Sequence, residues 1–159
     1  MGHQLDAYIA RPEVLAGLAD LLPGARMFPL AQGLWLAPVT GDLRERAMED
    51  ANDDGAGPRH FVQLVAVLER IGLALSQRGA VGWIETDWFG GMGGSSARLW
   101  RDGAVIVEHA EVNVVLRGLG VQRTEDPQRL DEWDSVGLGR YRDTDRCFAD
   151  SQPVASWRG

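Results

Sequence analysis

The chain has 159 residues and a formal net charge of −7, with a pI of about 4.9. That acid excess argues against nucleic acid and anionic membrane surfaces as partners and favours a basic one. Cys147 is the only cysteine, so no internal disulfide can form, and a reducing, cytoplasmic compartment fits.

Residues 4–10 alternate loosely and read as a first strand. Pro12 suits the first turn of a helix. Val14, Leu15, Leu18, Leu21 and Leu22 then repeat at helical spacing until Pro23-Gly24 stops them. Residues 26–39 read as two short strands hinged near Gln32-Gly33, with Pro29 and Pro38 at strand ends or at an edge. A short helix follows over roughly 42–51, then an exposed loop ending in Gly55-Ala-Gly57-Pro58. From His60 to Arg78 the apolar residues Phe61, Leu64, Val65, Leu68, Ile71 and Leu75 mark one face of an amphipathic helix. Within it Gly72 suggests close packing on a sheet, with Ile84 and Trp88 beneath the helix.

Val81–Phe89, residues 96–101 and Ala104–Glu108 read as a three-strand meander, the last two joined by a tight Asp102-Gly103 turn. A short helix over 110–118 ends at Gly118 or Gly120, and the segment after Asp126-Pro127 mixes charges and turns, with Trp133, Val136, Leu138, Tyr141 and Phe148 as docking points. These elements predict one α+β domain over 1–150: a mainly antiparallel sheet with a long amphipathic helix packed on it. Residues 151–159 read as a loosely held tail. No run approaches the ~18 to 20 apolar residues of a membrane-spanning helix, and the N-terminus shows no secretory signal.

The chemistry-bearing candidates are few. All sixteen basic residues are Arg, which excludes a Schiff-base lysine and the Gly-Lys-Ser/Thr phosphate loop. His3, His60 and His109 lack the spacing of a zinc motif. Ser95, Asp102 and His109 follow the Ser–Asp–His order, but without the strand–turn–helix setting of a nucleophile elbow. No catalytic residue, cofactor or metal site is therefore expected. The glycine-rich segment 90–94 reads as a wide hairpin turn, a partner-contacting loop or an anion site.

On the preceding strand Trp83, Glu85, Asp87 and Phe89 share a face, and the two carboxylates project about 7 Å apart. An acidic centre flanked by aromatics suits a protein interface. The acids of 42–54 are a second contact candidate, above all Glu49, Asp50, Asp53 and Asp54.

The segment Val81-Gly-Trp-Ile-Glu-Thr-Asp-Trp-Phe-Gly-Gly-Met-Gly-Gly-Ser-Ser-Ala-Arg-Leu-Trp-Arg-Asp-Gly103 resembles a group of small bacterial proteins, as does Val136-Gly-Leu-Gly-Arg-Tyr-Arg142. In size, acidity and lack of a catalytic signature the chain is also similar to the immunity proteins of bacterial toxin systems. That likeness implies a cytoplasmic, non-enzymatic protein that occludes a basic partner, a toxin. Two other readings stay open. One is a small enzyme or ligand-binding protein using Glu85, Asp87 and the glycine segment. The other is an accessory protein of a phage or secretion system.

Overall fold

Strand β1, His3–Ala10, carries Leu5, Ala7, Tyr8, Ile9 and Ala10, all fully buried. A strand apolar on both sides must lie inside a sheet with both faces covered. The computed structural model, which describes residues 3–52, 60–89, 92–123, 132–136 and 151–158, places it so. One sheet of seven strands runs in the order β6-β5-β4-β1-β3-β2-β7. The strands are β2 (Arg26–Pro29), β3 (Trp35–Pro38), β4 (Val81–Phe89), β5 (Met92–Arg101), β6 (Ala104–Ala110) and β7 (Gln152–Pro153). Every pairing is antiparallel. The α+β class and antiparallel sheet expected from the sequence are present.

The two faces of the sheet carry separate cores. On the first, Tyr8, Val81, Trp83 and Trp100 pack under α1 (Pro12–Leu15), α2 (Leu18–Leu21), α3 (Gly41–Asn52) and α4 (His60–Leu75). On the second, Leu5, Ile9, Ile84 and Leu99 pack under α5 (Val112–Gly118) and α6 (Glu132–Val136). Ile84 thus lies on the face away from α4, contrary to the expectation, and Trp83 takes the place beneath that helix. Alternation fixes that residues 83 and 84 point opposite ways, but not which way either points. Trp88 belongs to β4, and its side chain lies outside the described residues.

The long helix is held against the sheet by close approach and by polar anchors. A Cβ on Gly72 would sit 2.6 Å from the Trp100 ring, so only glycine lets α4 settle there. The Tyr8 hydroxyl donates to the Leu68 carbonyl at 2.7 Å. At the C-terminal end of α4 the buried Ser76 Oγ donates to Leu73 O at 2.6 Å and accepts from Gly103 N at 2.8 Å. Asp102 N donates to Ser76 O at 3.0 Å. The β5–β6 turn therefore caps the helix. Asp102 and Gly103 have φ of 54° and 75°, the two positive values that a type I′ hairpin turn requires.

Three other expectations change. The helix read over 12–22 is broken into α1 and α2, because Gly17 N and Ala19 N bond three residues back, at 3.2 Å each, tightening the turn where Gly17 meets Leu75. Strand β5 starts at Met92, earlier than expected, so Gly93 and Gly94 are ladder residues paired with Trp88 and Asp87. Residues 90 and 91 lie outside the described residues. The C-terminal residues are not loose: β7 pairs with β2, Val154 is buried, and Arg26 donates from Nε to Ser151 Oγ at 2.9 Å. Of the expected docking points after 127, Val136 is fully buried, Trp133 lies in α6 with its side chain outside the described residues, and Leu138, Tyr141 and Phe148 lie outside the described residues.

Candidate functional site

Of the candidate acids, Glu85 stands on the first face of the sheet, where the aromatic core ends. Tyr8 meets Trp83 edge-on, with ring centroids 4.8 Å apart. One step outward, β1 carries Asp6 and β4 carries Glu85, directly opposite each other in the ladder. Like charges so placed repel. Arg44, on the sheet-facing side of α3, makes an ion pair with Asp6. Glu85 is exposed, and no cation pairs with it among the described residues. Its Oε1 accepts the Trp83 indole N–H at 2.8 Å. That bond holds the carboxylate in place while no described residue compensates its charge.

The same ion pair joins the two acidic regions found in the sequence. Leu43 and Ala47 bury one side of α3, and Arg44 points to Asp6. Asp42, Glu45 and Glu49 are exposed on the solvent side. The Asp6–Arg44 contact thereby fixes an acid-bearing helix beside the strand that carries Glu85. Neither residue was a candidate from sequence. The available signal was a lone acid among the apolar residues Leu5 to Ala10 of an inner strand, which demands a counter-charge.

The remaining predicted residues are placed as follows. Trp83 is 4 % exposed. It is a core residue rather than an aromatic rim, since its face of β4 is the one α4 covers. Asp87 and Phe89 stand on β4 opposite Gly94 and Met92, with side chains outside the described residues. Asp50 lies in α3 with its side chain also undescribed, and Asp53 and Asp54 fall outside the described residues. Glu49 is exposed. On the neighbouring strand Arg98, opposite Trp83, reaches back to Glu69 of α4 at 3.8 Å. Its charge is thereby directed towards the helix.

A separate cleft of about 520 Å³ opens at the start of α3, lined by Gly24, Arg26, Thr40, Gly41, Asp42, Leu43 and Arg46. Its arginines are already engaged. Arg26 holds Ser151, and Arg46 Nη1 donates to Pro23 O at 3.3 Å. Thr40 Oγ1 accepts from Leu43 N at 3.4 Å, as a helix cap does. These contacts brace α3 and the C-terminal strand. Among the described residues no group of three His, Cys, Asp or Glu side chains could hold a metal ion. No described helix is long and apolar enough to cross a membrane.

Comparison of the chain with protein-family models, with curated proteins and with solved structures finds no match. The functional reading therefore rests on the residues themselves.

Proposed function

We propose that this chain is a cytoplasmic protein-binding domain that engages a basic protein, and that it acts as an immunity protein neutralising a toxin by occlusion. The observation that carries this reading is the unequal treatment of two facing acids. Asp6 is neutralised by Arg44. Glu85, opposite it, is exposed and held by an indole N–H, with no cation beside it among the described residues. A carboxylate fixed in position without a counter-ion favours an incoming cation, because the ordering cost is already met. The exposed acids of α3 extend the same negative field, which steers a basic partner and raises its association rate.

The test uses the full chain as bait in extracts of its source cells, beside a variant carrying Glu45→Gln, Glu49→Gln and Glu85→Gln. The expected result is one basic protein retained by the parent, released by moderate salt and lost with the variant. That protein should arrest growth when expressed alone and not when co-expressed with the parent chain. A partner bound equally by parent and variant, or insensitive to salt, overturns the acidic interface. A partner whose expression alone is harmless overturns the immunity role.

A further inference from the structure

We propose that the outer edge of β5 over Gly93–Ser96 takes an extended, arginine-bearing segment of the partner as an added β-strand. This inference rests on the acidic interface above and specifies its mode of attachment.

Among the described residues, no strand pairs with this edge. The β4–β5 register runs without a shift from Val81↔Trp100 to Phe89↔Met92. Strand β6 ends at Ala110, which pairs with Ala97. Residues Met92–Ser96 therefore have β4 on one side and no described strand on the other. Arg101 and Ala104 flank the two-residue turn, so the main-chain groups of Arg101 face β6. In an antiparallel ladder that direction recurs at every second residue. Leu99 and Ala97 also face β6, and Ser95 and Gly93 face the same way beyond its end. The register shifts lie on the β6 side, where seven residues, Ala104–Ala110, span five of β5, Ala97–Arg101. The alternation along β5 is thus unbroken.

The two outer edges differ in protection. Sheet edges are normally blunted by bulges, charges or proline, because bare N–H and C=O groups recruit other strands. β6 has register shifts, the exposed Glu108, and His109 at a φ of 51°. Gly93-Gly94-Ser95-Ser96 has none of these devices.

The side chains point to what kind of strand fits. An added strand would lie two strand spacings from β4, about 9.5 Å. Between them on the Glu85 face stand only Gly94 and Ser96, and a Cβ on Gly94 would meet nothing within 4 Å. A long cationic side chain can cross these small residues to Glu85, which is opposite Ser96. Arginine suits that reach, because its planar fork engages a carboxylate bidentately. A second copy of the chain is a poor occupant: edge-to-edge pairing would bring one copy's uncompensated acids towards the other's.

The test is amide exchange by NMR with a short, blocked peptide of alternating arginine and valine, beside the same peptide with glutamate for arginine. The arginine peptide should slow exchange at Ser95 and Gly93, and the glutamate peptide should not. Ser95→Pro removes an outward-facing N–H and leaves the β4 ladder intact. It should weaken the arginine peptide on the order of tenfold. Unchanged exchange at Ser95 under saturating arginine peptide overturns the proposal, whatever the fate of the proline variant. Equal protection by both peptides also overturns it. Ser95 protection that grows with protein concentration alone assigns the edge to a second copy. Suppose a basic partner is lost with the Glu45, Glu49 and Glu85 substitutions yet binds the Ser95→Pro chain like the parent. Then the acidic interface stands and strand addition fails.

Discussion

Strands β4 and β5 keep one register along their whole length, but their two halves are built from different chemistry. In the inner half Val81, Trp83 and Trp100 are buried under α4 beside Tyr8, and Gly72 lets that helix touch the Trp100 ring. In the outer half Glu85 and Gly94 reach solvent, and Ser96 is half-buried. The polar partners follow the same division. Tyr8 gives its hydroxyl to a helix carbonyl, whereas exposed Glu85 accepts an indole N–H and has no cation beside it among the described residues. A single ladder is thus buried core at one end and open to solvent at the other, and helix cover sets the boundary. Substitutions that test the comparison should be costly in the inner half and nearly free in the outer.

The largest effect is expected at Leu68, buried on α4. Leu68→Ala should lower stability by about 2–5 kcal/mol, read from the urea midpoint. A midpoint like the parent's would mean that the inner half does not depend on α4, and the comparison would collapse. Gly72→Ala comes next. Its new Cβ would lie 2.6 Å from carbons of a rigid indole. Overpacking of this kind costs about 1–3 kcal/mol, enough to outweigh the ~1 kcal/mol that alanine gains over glycine in a helix. In a Trp100→Leu background the obstacle is gone and the same change should stabilise, so a double-mutant cycle separates packing from propensity.

Tyr8→Phe sharpens the comparison with a smaller loss, about 1 kcal/mol for one buried hydrogen bond. It also has a pH signature. Burial holds the Tyr8 phenol well above its ordinary value of 10.0. The folded chain therefore keeps a proton that the unfolded chain gives up. This contribution is complete below about pH 10 and declines as pH rises beyond it. Urea midpoints taken between about pH 9 and 11 should fall less steeply for Tyr8→Phe than for the parent. Parallel curves would place the phenol in contact with water.

Most elements were legible because their signals are local. Helical spacing located α4, and Asp102-Gly103 located the β5–β6 turn. What failed depended on distant neighbours. The alternation of β4 is equally strong whichever face α4 covers, so Ile84 and Trp83 were exchanged. The glycines of β5 looked like a loop because glycine is rare in ladders; pairing with β4 holds them in one. The tail looked loose because Gln152-Pro153 carries no strand pattern, yet the exposed edge of β2 gives it a place. Of the expected site, Glu85 is exposed on β4, Trp83 is a core residue rather than a flanking aromatic, and the Phe89 side chain lies outside the described residues. Asp6 and Arg44 lie 38 positions apart, and nothing local connects them.

The smallest expected effect is the most discriminating for the outer half. Glu85→Gln keeps an oxygen to accept the Trp83 indole N–H and removes only the charge opposite Asp6. If Glu85 served the fold, this change would destabilise it. If its charge is held for a partner, the free chain bears a repulsion that the substitution relieves. Cross-strand charge terms are a few tenths of a kcal/mol up to about 1. Glu85→Gln should therefore raise stability by roughly that lower amount at low ionic strength. The gain should shrink as salt screens the pair. Asp6→Asn should act in the opposite sense, because it strips the half-buried Arg44 of its counter-charge. Opposite signs at two facing acids, measured by urea unfolding at low and high salt, would show that one carboxylate belongs to the fold and the other does not. Destabilisation by both would place Glu85 with Asp6 in the framework and remove the observation on which the acidic interface rests.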